Sequence, residues 1–358
     1  MPSFDEITRR WKERVERSRE YEVVESEEEQ TEAFFESRIN GRQYDRAQRL
    51  LRSLLKKYQN VALTNALPGR IVSNSHGSCY YMEQEYDGLF CNFESDGARE
   101  ILLSDIKLLY GVGEVTEDRL KKQGFSSIAD LKGHPVWGRP AQRFLKLFDS
   151  ANTVKLQRWL WHWLPKSHPK VLCLAGLHDV SEFLIFDIET LGLFGRPIVL
   201  IGLARPQGES MVIRQYLLRD LSDEPAALAE FCSHISDRTA LISYNGRGFD
   251  LPYIQERLGY YGQGAVAQCA HFDILHFARR RWRGSFSDCK LTTLERELFG
   301  LNRRGDVPSA LVPEFYDAYL RTGNVGPLVP IVRHNRQDLT TLANIFSELC
   351  RRWGNGDR

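Results

Sequence analysis

Three apolar segments follow one another with almost no chain between them, and this spacing limits the folds open to the sequence. They cover residues 183–188, 197–204 and 212–218. The gaps are too short for a crossover helix, so the three segments should be strands in a meander. The next apolar segment, 240–245, follows residues 222–236, whose early acids and proline favour a helix. This order predicts an α/β fold with a mixed sheet.

The remainder of this half continues to alternate between the two kinds of element. We expect a helix from about Asp250, a short strand at 271–275 and a long final helix at about 329–352. Gly300 should end an intervening helix, since glycine is favoured just beyond a helix C-terminus. The sequence therefore predicts an α/β domain over residues 169–358.

The first 168 residues have a different character. Residues 1–60 predict a helical arm, because leucines recur at helical spacing between basic side chains. Residues 61–100 predict a small β element, since short apolar segments alternate with turn residues. Residues 101–168 predict a helical region. The glutamate-rich segment 20–36 indicates a solvated face or a mobile arm, and would suit a protein partner in a larger machine.

Within the helical region, residues 104–133 predict helix, tight turn, helix, turn and helix, with Val112 between two glycines. This segment resembles a helix-hairpin-helix motif. The resemblance implies that backbone N–H groups near Gly111 and Gly113 contact a phosphate, as helix N-termini do. The alternative is a helical packing unit without nucleic-acid contacts. Residues 141–164 predict a single helix rich in aromatic side chains.

The overall composition points to an ordinary globular protein. The chain has 358 residues and a formal charge of +1, from 48 basic and 47 acidic side chains. We expect no membrane-spanning helix, since no apolar run approaches the roughly 18 residues that one needs, and the N-terminus lacks the apolar core of a secretory signal. The seven cysteines are scattered and form no C-x-x-C pair. A cytoplasmic location is the simplest expectation.

Two carboxylates stand at the end of the first predicted strand. Asp187 and Glu189 are two residues apart, so the period of a strand places both on one face of the sheet. Two neighbouring anions repel each other in a partly buried site, and a cation between them relieves this repulsion. Hard oxygen ligands favour Mg²⁺ or Mn²⁺.

Three further polar side chains follow at suitable places. Asp250 comes after a buried strand and a glycine-rich turn, at the start of a helix. His334 and Asp338 are four residues apart, which places both on one face of the final helix. A carboxylate there can bind metal while the imidazole handles a proton. Each motif alone also fits a strand end, a helix cap or a solvated helix face. Their order favours a common site.

Together these motifs resemble the three exonuclease motifs of the DEDD superfamily, which has a ribonuclease-H-like fold with a mixed sheet flanked by helices. More narrowly, the sequences IFDIETLGL, SYNGRGFDLPYI, HFDILHFARRRW, KLTTLERELFG and HNRQDLTTL are similar to the YprB-like branch of predicted nucleases. The match covers roughly residues 170–352. The resemblance implies two Mg²⁺ or Mn²⁺ ions per site. The implied metal ligands are Asp187, Glu189, Asp250 and Asp338.

The resemblance also implies a role for each residue. Asp187 would bridge the two ions, Glu189 and Asp338 would serve the ion beside the attacking water, and Asp250 would hold the other. His334 would be the proton-handling residue. It departs from the pattern, since the histidine subclass has its histidine five residues before the last aspartate and here the gap is four. Its role as direct base or as water-orienting group stays open.

Several other residues are candidates for contacts with nucleic acid. The resemblance implies base or phosphate contacts close to the motifs, and a basic stretch with interleaved aromatic side chains, residues 279–304, is typical of strand binding. Core packing or a solvated helix face explains the same residues equally well. The candidates are Thr190, Leu191, Leu193, Asn245, Phe249, Arg279, Arg280, Arg281 and Lys290. His271 and Asp273 are secondary candidates.

The leading function is a metal-dependent 3′–5′ exonuclease, with DNA slightly favoured over RNA. Its expected substrate is a nucleic acid with a free 3′ end, either single-stranded or a frayed duplex. One alternative is a non-catalytic nucleic-acid-binding module on the same fold. Another is a structure-specific endonuclease subunit. Internal cleavage of a substrate with a blocked 3′ end would favour the endonuclease, and binding without cleavage would favour the module.

Overall fold

A computed structural model describes residues 41–354, except residues 89, 194 and 304. The predicted acidic docking segment at 20–36 and most of the predicted arm lie outside these residues. By compactness the chain divides after Gln48, and the described residues from Arg49 onwards form one unit. None of the helices in the described part of the chain is long and apolar enough to cross a membrane.

The described elements alternate as predicted in the second half of the chain. The strands are β1 (Arg70–Asn74), β2 (Gly77–Asp87), β3 (Phe183–Thr190), β4 (Ile198–Gln207), β5 (Ser210–Leu217), β6 (Ala240–Ser243) and β7 (Ala270–Asp273). The helices are α1 (Gly41–Lys57), α2 (Leu63–Ala66), α3 (Ser95–Leu103), α4 (Glu114–Lys122), α5 (Gly138–Asp149), α6 (Thr153–Leu160), α7 (Pro169–Cys173), α8 (Glu224–Ser233), α9 (Asp250–Tyr260), α10 (Ile274–Trp282), α11 (Leu291–Phe299), α12 (Val312–Thr322) and α13 (Leu328–Gly354).

The strands form one mixed sheet in the order β1-β2-β5-β4-β3-β6-β7. Strands β3, β4 and β5 pair antiparallel, which confirms the predicted meander. Strand β6 lies parallel to β3, and β7 lies parallel to β6. The carboxyl ends of β3 and β6 therefore meet at the same edge of the sheet. This mixed sheet with flanking helices is the predicted ribonuclease-H-like α/β fold.

The predicted small β element is a hairpin that joins the same sheet. Strand β2 pairs antiparallel with β5, from Tyr80 opposite Leu217 to Asp87 opposite Ser210. The pairing covers an edge of β5 that would otherwise expose unpaired backbone groups. The domain boundaries at 60, 100 and 168 stay predictions.

Both faces of the central strands are covered. Consecutive residues of β4, from Ile198 to Ala204, are buried, a pattern that arises when helices pack on both sides of a sheet. The long helix α13 contacts β3, β4 and β5. Its contact with β3 brings the third motif over the strand that carries the first.

The aromatic segment is not the single predicted helix over 141–164. It forms two helices, α5 and α6, separated at Ala151, whose φ is +49°. The Asn152 side chain caps α6 by accepting a hydrogen bond from the Lys155 N–H at 3.0 Å, and such a cap favours a new helix start. In α6, the Gln157 amide bonds the His271 backbone in both directions. The helical region is thus fixed to β7, at the far edge of the sheet.

Candidate active site

The first motif lies at the carboxyl end of β3. Glu189 is buried and Asp187 is half-buried, so neither carboxylate is fully hydrated. The Asp187 Oδ2 atom accepts a hydrogen bond from Asn335 Nδ2 at 2.8 Å. The pairing of β3 with β4 shifts register between Glu189 and Thr190, the last residue of the strand.

The second motif follows the neighbouring strand β6 through a tight turn. Asn245 has a φ of +65°, and a side chain on Gly246 would come within 2.5 Å of the Ser243 side chain. The Asp273 carboxylate accepts hydrogen bonds from the N–H groups of Asn245 and Arg247 at 2.8 and 3.1 Å. The turn delivers Asp250 to the first turn of α9.

This delivery brings the second motif against the first. The Asp250 Oδ1 atom accepts a hydrogen bond from the backbone N–H of Ile188 at 3.3 Å. Ile188 lies between Asp187 and Glu189 on β3. Ile188 and Asp250 are 62 residues apart in the sequence, and the parallel pairing of β3 and β6 brings them together.

The third motif lies on α13, on the face that meets β3. His334 Nε2 lies 4.0 Å from Glu189 Oε1 and 3.4 Å from Asp338 Oδ2. The predicted i,i+4 face is therefore the face that meets the first motif. All five residues that the sequence predicted to be catalytic belong to one connected group.

Burial and like charge make these carboxylates costly to ionise. Burial, then the neighbouring acids, raises the pKa of Asp187 well above its usual range. Burial raises the pKa of Glu189 to about 8 and that of Asp250 to about 7. Burial opposes the charged form of His334, but nearby carboxylates, Asp338 foremost, raise its pKa to about 10. The group carries more negative charge than its own cations balance.

The carboxylate oxygens of this group are suitable ligands for a divalent cation, but the side chains do not already surround one metal position. Carboxylate oxygens in a buried, repelling group are the ligands that Mg²⁺ or Mn²⁺ prefers. In the described parts of the chain, no three His, Cys, Asp or Glu side chains already surround a common metal position. Asp338 explains part of this, since its Oδ1 accepts a hydrogen bond from Arg303 at 2.5 Å.

Sequence reasoning did not place two residues, Asp306 and Arg303, beside His334, and it grouped Arg303 with the basic stretch 279–304. Asp306 Oδ1 lies 2.7 Å from His334 Nδ1, so Asp306 fixes the imidazole and turns Nε2 towards the carboxylates. Although burial opposes it, the hydrogen bond from His334 lowers the pKa of Asp306. Arg303 is the cation on Asp338. Both residues come from the loop after α11, where a charged stretch gave no periodic signal.

A third missed residue supports Asp187. Asn335 is fully buried and donates to Asp187 Oδ2, while its own Oδ1 accepts from Gln215 Nε2 at 2.8 Å. A side chain on Gly202 would come within 2.0 Å of Asn335 Oδ1, so the glycine of β4 makes room for this amide. The one available signal was its place next to His334 in the third motif.

The predicted contacts directly after β3 are engaged in a compact loop. The Thr190 hydroxyl donates to the Gly192 carbonyl at 2.7 Å, and the Leu191 N–H donates to the Pro197 carbonyl at 3.0 Å. Leu191 and Leu193 are half-buried, which fits either core packing or a stacking surface at the edge of the site.

Other predicted contacts lie around the second motif. The Oδ1 atom of Asn245 is buried and has no hydrogen-bond partner among the described residues. Phe249 is half-buried directly before Asp250. The Tyr244 hydroxyl donates to the Cys289 carbonyl, which ties this turn to the segment where the exposed Lys290 precedes α11.

The remaining predicted contacts are not joined to the carboxylates by any hydrogen bond or ion pair of the described residues. Arg279, Arg280 and Arg281 lie in the last turn of α10. Gly111 has a φ of +79°, and Gly113 is the N-cap of α4, which has glutamates in its first turn. Those glutamates oppose a phosphate at this helix end, because both are anions. The predicted phosphate contact stays a prediction.

Comparison with known proteins agrees with this geometry. The model of the RNase H superfamily matches residues 184–350. The uncharacterised protein YprB of Bacillus subtilis (strain 168) is 30% identical over 198 residues, which cover 54% of this chain and 47% of YprB. The matched region thus spans about half the length of this relative.

Solved structures overlap with the chain in part. A family B DNA polymerase from the hyperthermophilic archaeon Pyrobaculum calidifontis is 18% identical with a TM-score of 0.38, over 47% of this chain and 24% of the polymerase. Exonuclease I of E. coli, solved with a dT13 oligonucleotide, is 16% identical with a TM-score of 0.26, over 44% and 45% of the two chains.

The family match begins in β3 and ends in α13, so it contains all three acidic motifs. The sheet order and the motif positions agree with it. Residues 184–350 therefore have a ribonuclease-H-like fold, match the model of the RNase H superfamily over a little less than half of the chain, and are similar in sequence to YprB.

Proposed function

We propose that this domain is a metal-dependent 3′–5′ exonuclease that hydrolyses phosphodiester bonds of nucleic acid, with DNA slightly preferred over RNA. The observation that carries the proposal is the meeting of three acidic motifs and one histidine from distant parts of the chain. Buried acids with raised pKa values in one group are typical of a catalytic site.

Four carboxylates would hold two Mg²⁺ or Mn²⁺ ions: Asp187, Glu189, Asp250 and Asp338. When bound, such ions lower the pKa of a water molecule and stabilise the attacking and leaving oxygens of an in-line displacement. The protein keeps these carboxylates close together and buried or half-buried, where charges interact more strongly than they do in water.

The residues around the carboxylates hold and orient them. Asn335 fixes one oxygen of Asp187. The Ile188 N–H fixes one oxygen of Asp250. Because these two oxygens are held in place, Asp187 and Asp250 need little reorganisation when charge develops on the substrate.

His334 would handle a proton at Nε2. Asp306 occupies Nδ1, so only Nε2 faces Glu189 and Asp338. In the metal-free state the surrounding acids keep the imidazole protonated. Neutralisation of those acids would return its pKa towards the usual value near 6.5, where a histidine exchanges protons readily.

The test is cleavage of oligonucleotides labelled at the 5′ end, with Mg²⁺ or Mn²⁺ and with chelator as control. Wild type should shorten the strand stepwise from its 3′ end, and Asp187→Ala should not. DNA and RNA of the same sequence, run in parallel, measure the preference. Tight binding without cleavage, or internal cuts on a strand with a blocked 3′ end, would contradict the proposal.

A further inference from the structure

Arg303 is a buried cation inside an otherwise acidic group. It lies in the loop between α11 and α12, and only 11% of its side chain is exposed. A guanidinium is always charged in proteins, so its burial is unfavourable unless carboxylates pair with it. Burial alone would lower the pKa of Arg303, but Asp338 and Glu295 raise it above its usual value.

The guanidinium bridges two helices through two different carboxylates, and its Nη1 also lies 3.6 Å from Asp306 Oδ2. Arg303 Nε donates to Glu295 Oε2 of α11 at 2.7 Å, and Nη2 donates to Asp338 Oδ1 of α13 at 2.5 Å. Glu295 is itself buried, and its other oxygen accepts from Gln337 Nε2 at 2.8 Å. The Glu295 end of the bridge is therefore fixed independently of the proposed metal site.

The Asp338 end of the bridge lies within the proposed site. Asp338 Oδ1 is occupied by Arg303, and Oδ2 lies 3.4 Å from His334 Nε2. A metal ion that binds Asp338 through Oδ1 competes with the guanidinium for that oxygen. Because Glu295 also pairs with Arg303, the guanidinium can stay in place when its bond to Asp338 is lost.

We propose that Arg303 is the resident counter-cation of Asp338 and that a divalent metal ion displaces it, so that Arg303 sets the metal affinity of the site. The inference deepens the proposed function and rests on it in taking Asp338 as a metal ligand. Arg303 is a positioning residue in this scheme, since it acts through Asp338.

Titration of the full chain with Mn²⁺ by calorimetry, without nucleic acid, tests the inference. Arg303→Gln should bind Mn²⁺ at least fivefold more tightly than wild type, because the competing cation is gone and the site is more negative. The matched control is Arg296→Gln, since Arg296 pairs with Glu297 on the exposed surface of α11 and should leave the affinity unchanged. An equal or weaker affinity of Arg303→Gln overturns the inference.

Thermal unfolding gives a second measurement that a purely structural role would not reproduce. Without metal, Arg303→Gln should unfold at a lower temperature than wild type, because Asp338 and Glu295 lose their partner. With saturating Mn²⁺ the difference should shrink, because the ion takes over at Asp338. A difference that persists unchanged with Mn²⁺ means that Arg303 is not displaced.

Arg303→Lys covers the case in which the glutamine variant does not fold. A lysine ammonium keeps the charge but lacks the planar fork that reaches both carboxylates. Its Mn²⁺ affinity should lie between those of wild type and Arg303→Gln. An affinity equal to that of wild type shows that charge alone suffices and overturns the bridging role.

The outcomes separate this inference from the proposed function. If wild type binds Mn²⁺ and Arg303→Gln binds it more tightly, but neither cleaves nucleic acid, the exonuclease proposal fails and the inference stands. If wild type degrades oligonucleotides and Arg303→Gln binds Mn²⁺ like wild type, only the inference fails.

Discussion

The acidic group at the end of β3 and the charged surface of α4 differ in how their charges are balanced. On α4, Lys121 and Lys122 pair with Glu117 and Asp118 one turn earlier, at 2.9 and 2.6 Å, and both lysines are at least half exposed. At the end of β3, buried carboxylates face each other, and their pKa values rise.

The difference shows where a ligand is needed. The charges of these α4 pairs are balanced by neighbours on the same helix, by Lys107 beside Glu117 and by water, so they cost little free energy and need no bound ligand. The buried carboxylates are balanced only in part, by Arg303 and His334. The fold holds these carboxylates together although they repel each other. A cation bound between them should therefore stabilise the folded chain more than a cation bound at α4 would.

Removal of one carboxylate should give the largest effect. Asp187→Asn should lower exonuclease activity by roughly 10³-fold, because a metal ligand contributes several kcal/mol to the transition state. Its unfolding temperature in chelator should not fall, because repulsion is relieved. Rate assays and thermal scans measure the two effects. The control is Asp149→Asn at an exposed ion pair. An equal loss of activity in both variants would show that Asp187 is no more important for activity than an exposed carboxylate.

Loss of the amide that supports Asp187 should have a smaller effect. Asn335→Leu should lower Mn²⁺ affinity or activity by roughly 10- to 100-fold, as is usual for residues that orient metal ligands. Gly202→Ala should act in the same direction, because its methyl group displaces Asn335. Arg333→Gln, on the exposed side of the same helix, is the control. Unchanged Mn²⁺ affinity in Asn335→Leu would show that Asp187 needs no support.

The pH dependence of stability should follow the same charges. In chelator, protons on Glu189 and Asp250 stabilise the folded chain at low pH, and this is lost as pH rises through about 7 to 8. His334 acts in the same direction, since its contribution is complete below about 6.5 and is lost as pH rises through about 10.

The unfolding temperature in chelator should therefore fall between pH 5 and pH 9, and thermal scans across this range measure it. Mn²⁺ should stabilise more as pH rises, because ions and protons compete for the same oxygens. In chelator, the unfolding temperature of the variant Glu189→Gln should depend less steeply on pH than that of wild type. A wild-type slope of the opposite sign would show that the carboxylates are not under repulsion.

The smallest effect is expected on α4. Lys122→Gln should change the free energy of unfolding by less than about 0.5 kcal/mol, because its pair with Asp118 is exposed. Denaturant titration measures this, with Lys155→Gln on the exposed face of α6 as control. A tenfold loss of duplex affinity in Lys122→Gln alone would instead show that this lysine serves nucleic acid.

Much of the fold and of the acidic site could be predicted because its signals are local. The meander follows from short gaps, and the helix end at Gly300 follows from its left-handed conformation, with a φ of +67°. The α12 helix (Val312–Thr322) was not predicted, and the segment 141–164 was predicted as one helix where two form. In the segment 141–164 the turn at Ala151 and the Asn152 cap, not periodicity, decide the chain direction.

By itself the sequence determined the order of the strands β3 to β7 and the elements that carry Asp187, Glu189, Asp250, His334 and Asp338. The strand period and the helical i,i+4 spacing depend on neighbours in the chain, so they can be read without the fold. Only the tertiary structure decided that the hairpin β1–β2 extends the sheet and that Arg303, Asp306 and Asn335 surround the acids. Those contacts join distant segments through packing, and no local pattern records them.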